Sequence, residues 1–456
     1  MDRSEPTVRS APPEAWEPAR RAAQALASPI QRFLAIEASS GLLLMAATAV
    51  ALIWANSPWS HSYEALWHVP IGLGIGDWAF VRPLHFWIND GLMTIFFLVV
   101  GLEIRREIFE GELSTFRRAA LPLAAALGGM LVPAAIYYAL NGGKTGAAGW
   151  GIPMATDIAF AVGVLTLLGS RVPNVLRILL LALAVIDDIG AIVVIAVFYS
   201  GGVTLTGLGI SAAGLVGVLI LRSAAVRSPA AYIAPGIVVW AGLYSAGVHP
   251  TLAGVLLGLV TPVRPWFGPS GFAETTKEHL AAMGEGGHHD LMQRLREIER
   301  ARKEAVSPVE RIVHVLQPYV AYGIMPLFAL ANAGVVLGGA DLSGDATWIF
   351  VGVILGLALG KPIGIVAATI LSSKVGLASR SPDMWFGGLT LVGMVGGIGF
   401  TMSLFIAQLA FPPETAAAQL ATAKLGILVG SAVAMVLGLV YGVITLRGRK
   451  PTSSEG

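Results

Sequence analysis

Apolar runs close to twenty residues long recur along the whole chain, separated by short stretches rich in polar residues, glycine or proline. A helix rising about 1.5 Å per residue needs roughly 20 residues to cross the hydrocarbon of a bilayer. The pattern therefore predicts twelve crossing helices, over residues 34–54, 86–105, 118–138, 150–169, 174–199, 204–221, 230–247, 249–262, 313–335, 348–373, 386–410 and 420–445. The fold class this implies is an all-α polytopic membrane protein. The eighth run is the shortest, and Gly247-Val248-His249-Pro250 joins it to the seventh as a tight turn. The domain plan is a segment 1–33, a transmembrane domain 34–446 and a tail 447–456.

The basic residues set an orientation. With the N-terminus inside, every lysine and arginine falls in a cytoplasmic segment except Arg82 and Lys144, which lie outside, and Lys361 and Lys424, which lie within spans. That is the bias of the positive-inside rule, and adding or removing one span would scramble it. The first thirty residues carry Asp2, Glu5, Glu14, Glu17 and several arginines without an apolar run, so they do not read as a signal peptide. Both termini are expected in the cytoplasm.

Two connections are long. Residues 55–85, edged by Trp54, Trp59, Trp67 and Trp78, read as an outside loop on the membrane interface, with room for a small hairpin. Residues 263–312 form the one strongly charged stretch. Within it, 292–300 favour a short cytoplasmic helix, while Gly284, Gly286 and Gly287 favour flexible chain. A tolerated insertion and a regulatory element both fit it. His288 and His289 there make a poor metal site on flexible chain.

Composition supports the membrane reading and excludes alternatives. Charged residues are 13% of the chain, against about 25% in soluble domains. The absence of cysteine rules out disulfides, thiolate metal sites and cysteine nucleophiles. A net charge of +2, with its basic residues scattered, gives no reason to invoke nucleic acid. No phosphate-cradling loop or hydrolytic constellation is present, which argues against an ATP-driven pump or an enzyme, and no cofactor is expected.

The candidate chemistry lies in charges that a membrane helix tolerates only at a cost of several kcal/mol each. Asp187 and Asp188 fall about 20 Å along a helix that must cover roughly 30 Å, near mid-bilayer. Consecutive helical residues differ by about 100°, so both can line one cavity, and two like charges there cannot both stay ionised cheaply. A carboxylate that must hold either a proton or a cation is the minimal exchange device. Asp157 follows Gly151 and Pro153, which suggests an interrupted helix whose free carbonyls, with the Thr156 hydroxyl, coordinate a cation. A second glycine-rich interruption lies at 393–403. Each break falls in the middle member of a three-span group, 118–199 or 348–445, as expected for inverted repeats that cross at a midplane ion site. Lys361, followed by Pro362, is the natural partner for one of the acids; the alternative is that it only stabilises crossed helices. Glu103, Arg105, Arg106 and Glu107 end the second span as a funnel-mouth cluster or an ordinary interfacial anchor, and His249 lies near the outer face.

These residues carry a resemblance. Asn89–Met93, Gly101-Leu102-Glu103, Ala155–Phe160, Ala184–Ala191, Pro326–Gly334, Gly360-Lys361-Pro362 and Gly399–Ser403, in this order within a stretch from about residue 30 to 447, resemble the NhaA family of bacterial sodium–proton antiporters. The resemblance implies twelve spans, with the fourth and eleventh discontinuous and crossing. It implies Asp188 as principal sodium ligand and proton carrier, and Asp187 in the same cavity, bridged to Lys361 when sodium is absent. Asp157 would balance the crossed helix ends, with Thr156 nearby. Glu103, Glu107, His249 and His314 would belong to a pH-responsive apparatus. Lithium transport, a homodimer, contact with membrane lipid and an inner-membrane location follow from the same likeness. Val313 and Gln317 depart from it, standing where relatives often carry an acid and a histidine. The rival readings are a sodium-coupled symporter of an organic anion and a non-transporting scaffold or sensor.

Overall fold

The computed structural model describes residues 39–447, apart from 77, 227, 266, 282–287, 337, 339–342 and 378–383. The expected N-terminal segment, residues 34–38 of the first span, the loop glycines 284, 286 and 287 and nearly all of the tail lie outside the described residues, as do the side chains of His288 and His289. The chain enters at α1 (Ser39–Ala55) and turns through 116° into α2 (Ser60–Trp67). It then forms a two-stranded antiparallel hairpin, β1 (Pro70–Ile75) and β2 (Trp78–Pro83), registered from Pro70↔Pro83 to Ile75↔Trp78. The 55–85 connection thus contains the small hairpin its sequence left room for, preceded by a helix that was not expected.

Long helices follow: α3 (Leu84–Phe109) and α4 (Phe116–Asn141). Next comes a broken pair, a 3₁₀ segment Ala147–Met154 and α5 (Ile158–Leu167), bent by 40°. After it run α6 (Asn174–Phe198), α7 (Leu205–Ser223), α8 (Pro229–Ala246) and the nine-residue α9 (Leu252–Val260). Gly247 closes α8 in the left-handed region at φ 77°, which makes the expected tight turn to α9. The 263–312 connection contains two helices that pack together, α10 (Pro269–Ala281) and α11 (His288–Ala305), where one short helix was expected.

The ninth crossing, α12 (Pro308–Asn332), starts five residues before its apolar run. Ser307 accepts the Glu310 N–H at 3.2 Å and Pro308 occupies the first turn, so capping, not hydropathy, sets the start. The last crossings are α13 (Asp345–Lys374), a second broken pair α14 (Phe386–Gly396) and α15 (Phe400–Ala410) bent by 49°, and α16 (Ala417–Leu446). Eight described helices are long and apolar enough to cross a membrane, or up to eleven if each bent pair counts as one span. The chain is a polytopic helical membrane protein.

Wide π-turns prepare two of its prolines. A proline ring clashes with the carbonyl four residues back, and the wider turn relieves that clash. Val320–Ile324 precedes Pro326 in α12, and Gly356–Gly360 precedes Pro362 in α13. The second of these turns leads directly into Lys361.

The most extensive helix packing falls into two groups. One holds α1, α3, α7, α8, α9 and α12; the other holds α4, α6, α13, α16 and both broken pairs. Small residues bring backbones close within each group, as membrane helices require in the absence of a hydrophobic driving force. A Cβ added to Gly364 would lie 2.0 Å from the Gly128 carbonyl oxygen, so α4 and α13 touch backbone to backbone. Gly254 does the same against Thr94, joining α9 to α3.

Candidate functional site

The two broken pairs meet at their breaks. The Asp157 backbone N–H donates to the Ile398 carbonyl at 2.7 Å, tying one interruption to the other. Asp157 caps α5, its Oδ1 accepting the Phe160 N–H at 3.2 Å. Its Oδ2 accepts the Thr401 N–H at 3.1 Å and the Thr401 hydroxyl, both at the first turn of α15. One carboxylate thus serves two helix N-termini, where negative charge offsets the converging dipole ends. Two further side chains finish the crossing. Ser431 of α16 accepts the Phe400 N–H at 3.1 Å, and Ser403 donates to the Ile152 carbonyl at 2.8 Å.

Asp187 and Asp188 sit on α6 beside this crossing, and both are buried. Lys361 extends from α13 with none of its side chain exposed, and its Nζ lies 2.5 Å from Asp187 Oδ2. The ammonium also donates to Thr156 Oγ1 at 2.6 Å. The single Thr156 hydroxyl hydrogen is shared between Asp187 Oδ2 at 2.7 Å and the Gly396 carbonyl at 2.9 Å. A backbone interruption, a hydroxyl, a lysine and a carboxylate thereby form one hydrogen-bonded unit.

The unit leaves oxygens over. Asp187 Oδ1 is buried without a hydrogen-bond partner. Asp188 makes no hydrogen bond or ion pair among the described residues, yet it lies within electrostatic reach of Asp187, Glu103, Asp157 and Lys361. Unpaired buried polar atoms are rare, because each forfeits its hydration without compensation. A cluster of acceptor oxygens with one compensating cation has the make-up of a site for a hard monovalent ion or a proton.

The structure brings Asp157, Thr156, Asp187, Asp188 and Lys361 together, and Glu103, half-buried on α3, lies within electrostatic reach of Asp188. It does not gather the other pH-response candidates. Glu107 accepts the Glu112 N–H at 2.7 Å and so closes the end of α3. His314 is exposed on α12. Val313 is buried with Leu102, Val263 and Val309, so it fills an apolar contact beside Glu103. Gln317 faces outward. His249 sits at the far end of α3 from Glu103, with its Nδ1 2.7 Å from Thr251 Oγ1 and its Nε2 3.5 Å from Asp90.

Thr401 and Ser431 were missed as site builders. Thr401 was readable in Gly399–Ser403 as a hydroxyl just past the break, whereas nothing local marked Ser431. Asp90 is a further intramembrane acid that the hydropathy pattern passed over, since it falls in the π-turn Trp87–Leu92 near the start of α3.

A polytopic helical protein with its charged groups gathered where two interrupted helices cross has the architecture of a secondary transporter. The family model described as Na+/H+ antiporter 1 matches residues 31–441, and the chain belongs to that family. A protein of Sorangium cellulosum named Na(+)/H(+) antiporter NhaA 2 is 56% identical over 446 residues, covering 96% of this chain and 95% of its own length. A Myxococcus xanthus protein of the same name is 54% identical, covering 97% of this chain and 95% of its own length. The Na(+)/H(+) antiporter NhaA of Bartonella henselae is 44% identical, with 93% and 94% covered.

Proposed function

We infer that this chain is a secondary active antiporter that exchanges Na+ for H+, a transporter and not an enzyme, embedded as a multi-pass protein in the inner membrane. The observation that carries the mechanism is the pairing of a satisfied carboxylate oxygen with free ones. Asp187 Oδ2 is held by Lys361 and Thr156, while among the described residues Asp187 Oδ1 has no hydrogen-bond partner and the Asp188 carboxylate makes no hydrogen bond or ion pair.

In this reading the geometry is that of the sodium-free protein. Sodium entering past Glu103 coordinates Asp188, Asp187 and the Thr156 hydroxyl. It displaces the proton those acids held and frees Lys361 from its bridge. Asp157 keeps the crossed helix ends in register throughout. Movement of one helix group against the other then exposes the ion on the opposite side, where protons compete it off. The inward proton gradient drives sodium out and so supports pH and sodium homeostasis. Lithium, with the same charge and preference for oxygen, is a second cargo.

The finer architecture belongs to the same proposal. Leu252–Val260 is the eighth of twelve spans, and α4 to α6 and α13 to α16 are inverted repeats. Both termini face the cytoplasm, the hairpin lies outside, and the protein forms a homodimer. Sodium-driven proton flux in proteoliposomes tests the core of it. Asp188→Asn is expected to abolish the flux, and unaltered exchange in that variant would refute the assignment.

A further inference from the structure

Beyond the ion site, toward the side that carries β1 and β2, the two helix groups touch through one face of α15. Phe405 and Gln408, three residues apart, lie together on that face. The Phe405 ring is wedged among Phe97 of α3, Phe328 of α12 and His249, with centroids 5.3, 6.3 and 5.2 Å away. One turn further out, Gln408 Oε1 accepts from Asn89 Nδ2 at 2.6 Å, and its Nε2 donates to Asn332 Oδ1.

Asn89 and Asn332 already form a pair within their own group. Asn332 Nδ2 donates to Asn89 Oδ1 at 2.8 Å and to the Phe328 carbonyl at 2.9 Å, and His85 Nε2 lies 2.9 Å from Asn332 Oδ1. Gln408 is the member of the cluster that comes from the other group. Bonds between neutral amides suit a contact that must open. Separation trades them for bonds to entering water at small net cost, whereas parting a buried ion pair would strand two charges.

We propose that Gln408, with Asn89 and Asn332, is the clasp that holds the external side shut over the Phe405 plug, and that its bonds part once in each transport cycle. The proposal rests on the antiporter reading, and the test separates the two. The chain has no cysteine, so an introduced thiol reports alone. Met93, one turn inward from Asn89 on α3, is fully buried beneath the clasp.

In right-side-out vesicles holding the full chain with Met93→Cys, a charged, membrane-impermeant methanethiosulfonate is added from outside. Adding Gln408→Met, which keeps the length and removes both bonds, is expected to speed labelling roughly tenfold. Equal labelling rates would overturn the clasp. Should Gln408→Met fail to reach the membrane, Asn89→Cys with Gln408→Cys, joined by a short bifunctional thiol cross-linker, gives a second reading. Sodium-driven proton flux is expected to stop on cross-linking and return on reduction; full flux through the cross-linked protein would overturn the proposal. Flux in the parent reports the antiporter reading by itself, and the labelling difference reports the clasp by itself.

Discussion

Gly364→Ala tests whether the close approach of α4 and α13 is what holds the lysine at its carboxylate. The new Cβ would stand 2.0 Å from the Gly128 carbonyl oxygen and 3.0 Å from Val132 Cβ. The nearer atom is backbone, so no side-chain rotation relieves it. Restoring ordinary contact at 3.4 Å requires the helices to part by about 1.4 Å at that point. Lys361 lies three residues earlier, on the same face of α13, and its 2.5 Å contact with Asp187 cannot survive a shift of that size unchanged. Overpacking of this kind costs about 1–3 kcal/mol of stability. A displacement of about 1 Å in a reacting constellation typically costs on the order of 100-fold in rate. Thermal unfolding in detergent and sodium-driven proton flux in proteoliposomes measure the two effects separately. Gly209→Ala, where a Cβ meets nothing within 4 Å, is the neutral control. A Gly364→Ala protein that unfolds earlier but transports like the parent would refute the coupling of packing to site geometry.

Ser431→Ala removes the acceptor for the Phe400 N–H and leaves a buried donor unsatisfied; it should cost about 1–2 kcal/mol in thermal unfolding. Tyr63→Phe removes the hydroxyl that donates to the Leu330 carbonyl at 2.8 Å and accepts from Gly334 at 3.2 Å, with a loss of about 1–2 kcal/mol. Burial pushes the Tyr63 phenol up from 10.0 to about 12, so the folded state favours the neutral form. That advantage is intact below pH 10.0 and is lost as pH rises through about 12. Melting curves of parent and Tyr63→Phe should therefore stay a constant distance apart from neutral pH upward and converge only in that alkaline window. The Glu299 carboxyl, exposed on α11, is held below its usual range by the hydrogen bond from Lys303 and then by its charge. Solvent screens that pair, and Glu299→Gln should change neither flux nor melting temperature.

The sequence made most of the candidate site legible because charge is conspicuous in apolar helices. Asp157, Asp187, Asp188 and Lys361 each interrupt a run that lipid would otherwise accept, and the structure draws all four together. The breaks at both crossings were readable for a similar reason, since glycine and proline beside polar residues cannot continue a membrane helix unaided. Hydropathy failed where other forces set the structure. The start of α12 follows from the Ser307–Glu310 cap, and the helix Ser60–Trp67 ahead of the anticipated hairpin lies in residues too mixed in polarity to stand out. Gln408 was hidden for a further reason, and so was its meeting with Asn89 and Asn332, although the motifs Asn89–Met93 and Pro326–Gly334 contain those two. Each is a single uncharged residue in its own helix, and only the tertiary fold reveals that they meet.

The most direct measurement is proton release from purified protein when sodium is added in weakly buffered detergent solution. Competition for the same oxygens predicts that the parent releases protons as sodium binds. It also predicts that the Asp187→Asn, Asp188→Asn double variant releases none. Equal release from the double variant would contradict it.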